Sequence, residues 1–129
     1  MIINGTHHVA LICSDYERAK HFYVNILGLQ ILHETFRAER DSFKLDLGMP
    51  DGSRLELFTF PSSPPRASYP EACGLRHLAF KVADLEEALT VVRGHGVAVQ
   101  EIRIDGITGK RFAFFEDPDG LPIEFYEET

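Results

Sequence analysis

His8-Val-Ala-Leu-Ile-Cys-Ser-Asp15 returns 69 positions later as His77-Leu-Ala-Phe-Lys-Val-Ala-Asp84. In both stretches a histidine opens an apolar run and an aspartate closes it. A second echo lies further along: Pro50-Asp-Gly-Ser-Arg-Leu-Glu56-Leu-Phe58 is matched by Pro118-Asp-Gly-Leu-Pro-Ile-Glu124-Phe-Tyr126 at an offset of 68. Two echoes at nearly one offset in 129 residues mark an internal duplication. The chain reads as two copies of one module.

Each copy reads as a strand, a helix and three strands. Residues 6–13 and 76–82 are aliphatic and β-branched and predict strands. Helices are expected at about 15–27 and 84–94, opened by Ser14-x-x-Glu17 and Asp84-x-x-Glu87. In such a capping box, side-chain oxygens take up the free amides of the first turn. Gly28 and Gly96 stand where a helix end favours a left-handed residue. Further strands are expected near 29–36, 42–48 and 53–59, then 97–104, 110–116 and 121–127. Asp51-Gly52 and Asp119-Gly120 supply a turn before each last strand. The expected architecture is α+β: one domain over 1–129, made of two tandem βαβββ modules at about 5–60 and 75–127. A proline-rich linker at about 61–74 joins them, and their curved mixed sheets are expected to enclose a cleft.

Composition narrows the function classes. Hydrophobic residues at 44% and charged residues at 26% are globular proportions. A net charge of −7 argues against nucleic-acid and anionic-membrane partners. No apolar run reaches the length of a membrane span, and the opening Met-Ile-Ile-Asn lacks the basic and long apolar regions of a signal peptide. Cys13 and Cys73 form no CxxC, so neither a disulfide framework nor a zinc ribbon is implied. A cytoplasmic enzyme or binding protein acting on a small molecule is the expectation.

Strand alternation then assigns faces. Val9, Leu11 and Cys13 oppose His8; Leu55 and Leu57 oppose Glu56; Leu78, Phe80 and Val82 oppose His77; Ile123 and Phe125 oppose Glu124. The aliphatic sets seat the helices, which leaves all four polar residues on the other sheet face. Each taken singly is more often a surface or satisfied group than a ligand. Repeated in register, they form a set whose burial requires compensation, and a divalent cation provides it. His7 lies on the opposite strand face and its counterpart is Arg76, so it is left out. Two imidazoles and two carboxylates suit one Zn, Ni, Co, Mn or Fe ion per site, with coordination positions left for substrate.

Paired βαβββ modules bearing His8, Glu56, His77 and Glu124 resemble the vicinal oxygen chelate superfamily, which includes glyoxalase I and bleomycin-resistance proteins. The resemblance spans the chain. It is strongest to small bacterial glyoxalase-like proteins, through His7-His-Val-Ala-Leu11, Glu71-Ala-Cys-Gly-Leu-Arg-His77 and Phe115-Glu-Asp-Pro-Asp-Gly-Leu-Pro-Ile-Glu124. The full His/Glu/His/Glu set is similar to glyoxalase I, a lyase and isomerase acting by proton transfer. It implies chelation of vicinal oxygens of a small 2-oxo or 2-hydroxy compound and an enediolate. Glu124 would be the principal base, Glu56 its partner, and both histidines ligands only. Glu56 is followed by Leu-Phe-Thr-Phe-Pro61 and not by the Leu-Thr-x-Asn common in glyoxalase I, so a glutathione adduct is not implied. Alternatives within the resemblance are an epimerase, a dioxygenase, a thiol transferase, or a non-catalytic antibiotic-binding protein that needs no metal. Arg40, Arg111 and Tyr126 are the candidate substrate contacts, and a homodimer is expected, with modules paired within a chain or swapped across two.

Overall fold

The computed structural model describes residues 1–128. The chain divides into two compact units, one ending at Pro64 and the other beginning at Pro65. In the first unit β1 (Val9–Ile12) is followed by α1 (Tyr16–Lys20), which runs on into a π-helical turn over His21–Ile26. Then come β2 (Gln30–Arg37), a 3-10 turn (Ala38–Arg40), β3 (Ser42–Gly48) and β4 (Arg54–Phe58). The second unit has β5 (Leu78–Val82), α2 (Leu85–Gly94), β6 (Arg103–Ile104), β7 (Arg111–Glu116) and β8 (Pro122–Glu127). Each unit is thus a βαβββ module. The sheets are open and mixed, in the orders β1-β4-β3-β2 and β5-β8-β7-β6.

The first strand of each module pairs in parallel with its last, and the helix supplies the crossover that such pairing requires. Local chemistry sets the helix ends. Asp84 caps α2 by accepting a hydrogen bond from the Glu87 amide at 3.0 Å. In the first module the cap is Asp15, which accepts from the Arg18 amide at 3.0 Å. The expected Ser14 is therefore displaced by one residue, because the aspartate carboxylate is the stronger acceptor beside the free amides. Gly28 and Gly96 adopt φ of 81° and 84°, the left-handed conformation expected of them. The π turn carries more residues per revolution, so adjacent Phe22 and Tyr23 both turn inward to 3% and 1% exposure.

Each sheet buries one face. Leu45, Leu47, Leu55 and Leu57 are buried in the first unit; Ala113, Phe115, Ile123 and Phe125 are buried in the second, with Leu85, Leu89 and Val92 of α2. The expected strand over 97–104 is the main departure. Only Arg103–Ile104 forms regular ladder, preceded by an isolated bridge from Val99 to Phe115. Val99 lies opposite Phe115 but Arg103 lies opposite Phe112, which leaves one extra residue on the edge strand between them. That is a β-bulge. The first module has its counterpart: β2 slips by one residue against β3 between Ile31 and His33. No helix among the described residues is long and apolar enough to cross a membrane.

Candidate metal centre

Parallel register builds the same arrangement twice. Ala10 lies opposite Glu56 on β4, and Ala79 lies opposite Glu124 on β8. In each case the histidine stands two residues before that alanine. It therefore shares its strand face and reaches diagonally toward the glutamate. His8 Nε2 is 3.5 Å from Glu56 Oε2, and His77 Nε2 is 3.5 Å from Glu124 Oε1. The glutamate side chains are 17% and 13% exposed and the histidines 39% and 28%, so each pair sits at a half-buried, solvent-reachable position. Each unit by itself offers a two-donor set. Among the described residues no group of three or more His, Cys, Asp or Glu is gathered in metal-binding geometry in either unit.

The donors fit a divalent ion. Ligand bonds of about 2.0–2.2 Å to an imidazole nitrogen and a carboxylate oxygen place those two atoms about 3 Å apart. A small side-chain shift brings the 3.5 Å pairs to that spacing. In both histidines Nδ1 is held by the preceding residue. His7 Nδ1 is 2.9 Å from His8 Nδ1, and Arg76 Nη1 donates to His77 Nδ1 at 3.1 Å. Arginine only donates, so a neutral His77 carries its proton on Nε2, toward Glu124. A metal held at His77 Nε2 would require the ring proton on Nδ1, and Arg76 Nη1 would then give up that contact. The separate bond from Arg76 Nε to Glu71, at 2.8 Å, need not break.

The two pairs differ in their neighbours. Lys44 Nζ lies 3.9 Å from Glu56 and 3.5 Å from Asp46. In the second unit the residue opposite Tyr126, where Lys44 stands opposite Phe58 in the first, is Phe112. Glu124 is accordingly set among aromatic rings: Phe114 lies directly opposite it, and His77 packs edge-on against that ring with centroids 5.1 Å apart. Tyr126 stacks on Phe112, donates to Asp105 Oδ2 at 2.9 Å and hydrogen-bonds Thr108. The Thr108 contact works to lower the Tyr126 pKa, yet burial and the bond to Asp105 outweigh it and hold the phenol above its ordinary value. Tyr126 shares the face of Glu124, as strand alternation predicts.

The other two candidate contacts fall elsewhere. Arg40 lies exposed in the 3-10 turn. Arg111 stands on the face of Ala113 and Phe115, opposite to that of Glu124. There it grips Glu127 with two bonds of 2.9 Å and reaches Glu86 of α2 at 3.1 Å. Its guanidinium ties the helix to the sheet. A different arginine occupies the His77 face: Arg103, with its guanidinium carbon 5.2 Å from the Phe112 centroid and 5.3 Å from that of Phe114. Sequence reasoning passed it over, because the bulge before it reverses the face that simple alternation assigns.

A family model for the glyoxalase/bleomycin resistance protein/dioxygenase superfamily matches residues 5–125. The chain is 52% identical to the uncharacterized protein YwkD of Bacillus subtilis, over 99% of this chain and 100% of that one. It is 29% identical to a lactoylglutathione lyase of Haemophilus influenzae, over 93% and 90% of the respective chains. Among solved structures, a glyoxalase family protein from Enterococcus faecalis superposes with a TM-score of 0.90 at 46% identity, covering 98% of this chain and 100% of that one.

Proposed function

The chain belongs to the glyoxalase/bleomycin resistance protein/dioxygenase superfamily, and from that premise we propose that it is a divalent-metal-dependent lyase or isomerase moving a proton on a small 2-oxo or 2-hydroxy substrate. The observation that carries this reading is the His–Glu pair built twice, at 3.5 Å in both units, by the same parallel register. Duplication copies the pair, and a shared role in holding one ion accounts for a donor set of this kind at a part-buried position in both copies. The reading treats the two units as modules of one functional domain and takes His8, Glu56, His77 and Glu124 as the ligand set. A first-unit half and a second-unit half, from one chain or from two, would serve one ion.

When bound, a Zn, Ni, Co, Mn or Fe ion supplies Lewis-acid polarisation of vicinal substrate oxygens. His8 and His77 hold and orient. Glu124, set among aromatic rings, takes the proton from the carbon beside the carbonyl, and the C–H electron pair passes to the adjacent C–O unit. Glu56, with Lys44 at 3.9 Å, gives its own proton to the neighbouring carbon and is recharged by the hydroxyl that becomes the new carbonyl. Glu124 passes the proton it took to the new alkoxide oxygen, so both carboxylates are reset. Tyr126 lines the same face as Glu124 and Arg40 remains a substrate contact of this proposal; Arg111 is committed to Glu127 and Glu86. The same reading makes the protein a cytoplasmic homodimer, which sedimentation velocity and cell fractionation test.

Metal content by elemental mass spectrometry, on protein prepared without added metal or a histidine tag, is the primary test. Near-stoichiometric metal that disappears in the Glu56→Gln/Glu124→Gln variant is the expected result. Glu124→Gln alone should keep much of the metal yet lose turnover of 2-hydroxy acids or 2-oxoaldehyde–thiol adducts; retained turnover sinks its assignment as base. The aromatic face of Phe112, Phe114 and Tyr126 also suits a second reading, non-catalytic sequestration of an apolar molecule. Protein that takes up no divalent metal even on soaking would favour that reading.

A further inference from the structure

The second unit contains an open cleft of about 380 Å³, formed between residues 66–76 and the face of the sheet that carries Phe114. Three arginines line it, and two of them are occupied. Arg66 donates to the carbonyls of Leu75 at 2.7 Å and Arg76 at 3.3 Å, which fastens the segment before β5. Arg76 is paired with Glu71 at 2.8 Å. Arg103 is different: its guanidinium lies over Phe112 and Phe114, and it has no oxygen partner among the described residues. Contact with two rings at 89° to each other holds a guanidinium as a cation and leaves the N–H donors that point away from the rings for a ligand.

Its position is the result of the bulge. Without the extra residue, Ile102 would lie opposite Phe112 and Arg103 would turn to the helix side. Bulges beside functional sites commonly re-aim a side chain in this way. Here the slip brings Arg103 onto the face of His77 and Glu124, and the Phe114 ring is touched by both His77 and Arg103. The equivalent bulge in β2 carries Thr35 opposite Lys44, so a guanidinium at this place belongs to the second module alone.

Resting on the proton-transfer reading above, we propose that Arg103 is a specificity residue that takes a terminal anionic group of the substrate. The substrate is then a small 2-oxo or 2-hydroxy compound bearing a carboxylate or phosphate at its far end, with its chain laid across Phe114. A guanidinium fork binds either anion through paired, charge-assisted hydrogen bonds. Neutral substrates of the same size lose those bonds.

The test is ligand-observed NMR titration of the full chain after chelator treatment, so that metal contributes nothing to the difference measured. Two probe pairs separate the anions: 2-oxoglutarate against its 5-methyl ester, and 3-phosphoglycerate against glycerate. At least one anionic probe should bind roughly tenfold or more tightly than its neutral-ended partner, the size expected for a charge-assisted contact. Arg103→Gln should abolish that preference, Arg103→Lys should keep part of it, and Arg93→Gln, which removes an exposed cation on α2, should leave it intact. The pair that shows the preference identifies the anion. Equal affinity within both pairs, no binding at all, or a preference that survives Arg103→Gln overturns the proposal. Metal content is scored on the same preparations before the chelator is added, so failure of the metal reading and failure of the Arg103 subsite give different results.

Discussion

Glu127 shows how much of a residue's role lies in its partners. On the strand it is one position from Tyr126, yet it faces the helix side, where Arg111 holds both carboxylate oxygens at 2.9 Å. The Arg111 guanidinium keeps its pKa below the ordinary 4.5, against an opposing push from burial. A carboxylate depressed in the folded state stabilises above its unfolded pKa, and that contribution is lost as pH falls through the folded value. Glu34 behaves alike, lowered by the Tyr16 hydroxyl and then by Lys20. Thermal stability should therefore decline below about pH 4.5, the region in which carboxylates titrate. Glu127→Gln should show a lower Tm at neutral pH and a shallower acid decline. Parallel Tm–pH curves for variant and parent would refute the linkage. Glu34 is 40% and Glu127 23% exposed, so solvent reaches both and screening keeps the effect small. Arg111 and Arg103 make the same point from the cationic side. They have the same chemistry and opposite faces, one closing an ion pair and the other left with free donors.

At the scale of elements, the helix ends and the edge strand β2 were legible, while the extent of β6 and the register of both edge strands were not. Asp84 and Glu87 stand in the spacing of a cap, and the structure forms the Asp84 bond at 3.0 Å. Replacing Asp84 with Ala should cost about 1 kcal/mol, a few degrees in Tm, by leaving first-turn amides unpaired. Chemical denaturation measures it, and the m-value should not change. A cost near zero would mean that packing of Leu85, Leu89 and Val92 alone holds α2 in place. In the first module the equivalent signal misleads by one position, since Ser14 and Asp15 are adjacent candidates and capping chemistry chooses the carboxylate. The bulges left no local signal. Residues 97–104 alternate well enough to predict a strand, but the extra residue is a property of pairing with β7. Edge strands have only one neighbour, so a slip there disturbs one ladder and not two.

For the whole molecule, duplication is the governing fact. One module sequence, folded twice, gives two open four-stranded sheets with the same strand order and the same His–Glu pair. If the pairs are halves of one metal site, His8→Ala and His77→Ala should each reduce metal uptake severely, and combining them should add little. Two independent two-donor sites would instead each lose about half, additively, from a stoichiometry near two. Titration of the chelator-treated protein with Zn²⁺ or Ni²⁺, followed by elemental analysis, decides between them.

The sequence by itself determined the duplicated βαβββ plan, the helix caps of the second module, the turns at Gly52 and Gly120, and the four residues of the two pairs. These features rest on local alternation, short-range hydrogen bonding and repetition, all of which are written along the chain. It also carried the resemblance to the superfamily, which the match over residues 5–125 establishes. Only the tertiary structure decided which arginine faces Glu124, which faces the helix, and where the edge strands slip. A side chain's face follows from the parity of its strand and the register of that strand against its neighbour. Register is set by pairing with residues remote in sequence, and a single inserted residue inverts it. Arg103 therefore reaches the His77 face through a contact between Val99 and Phe115 that no reading of its own strand contains.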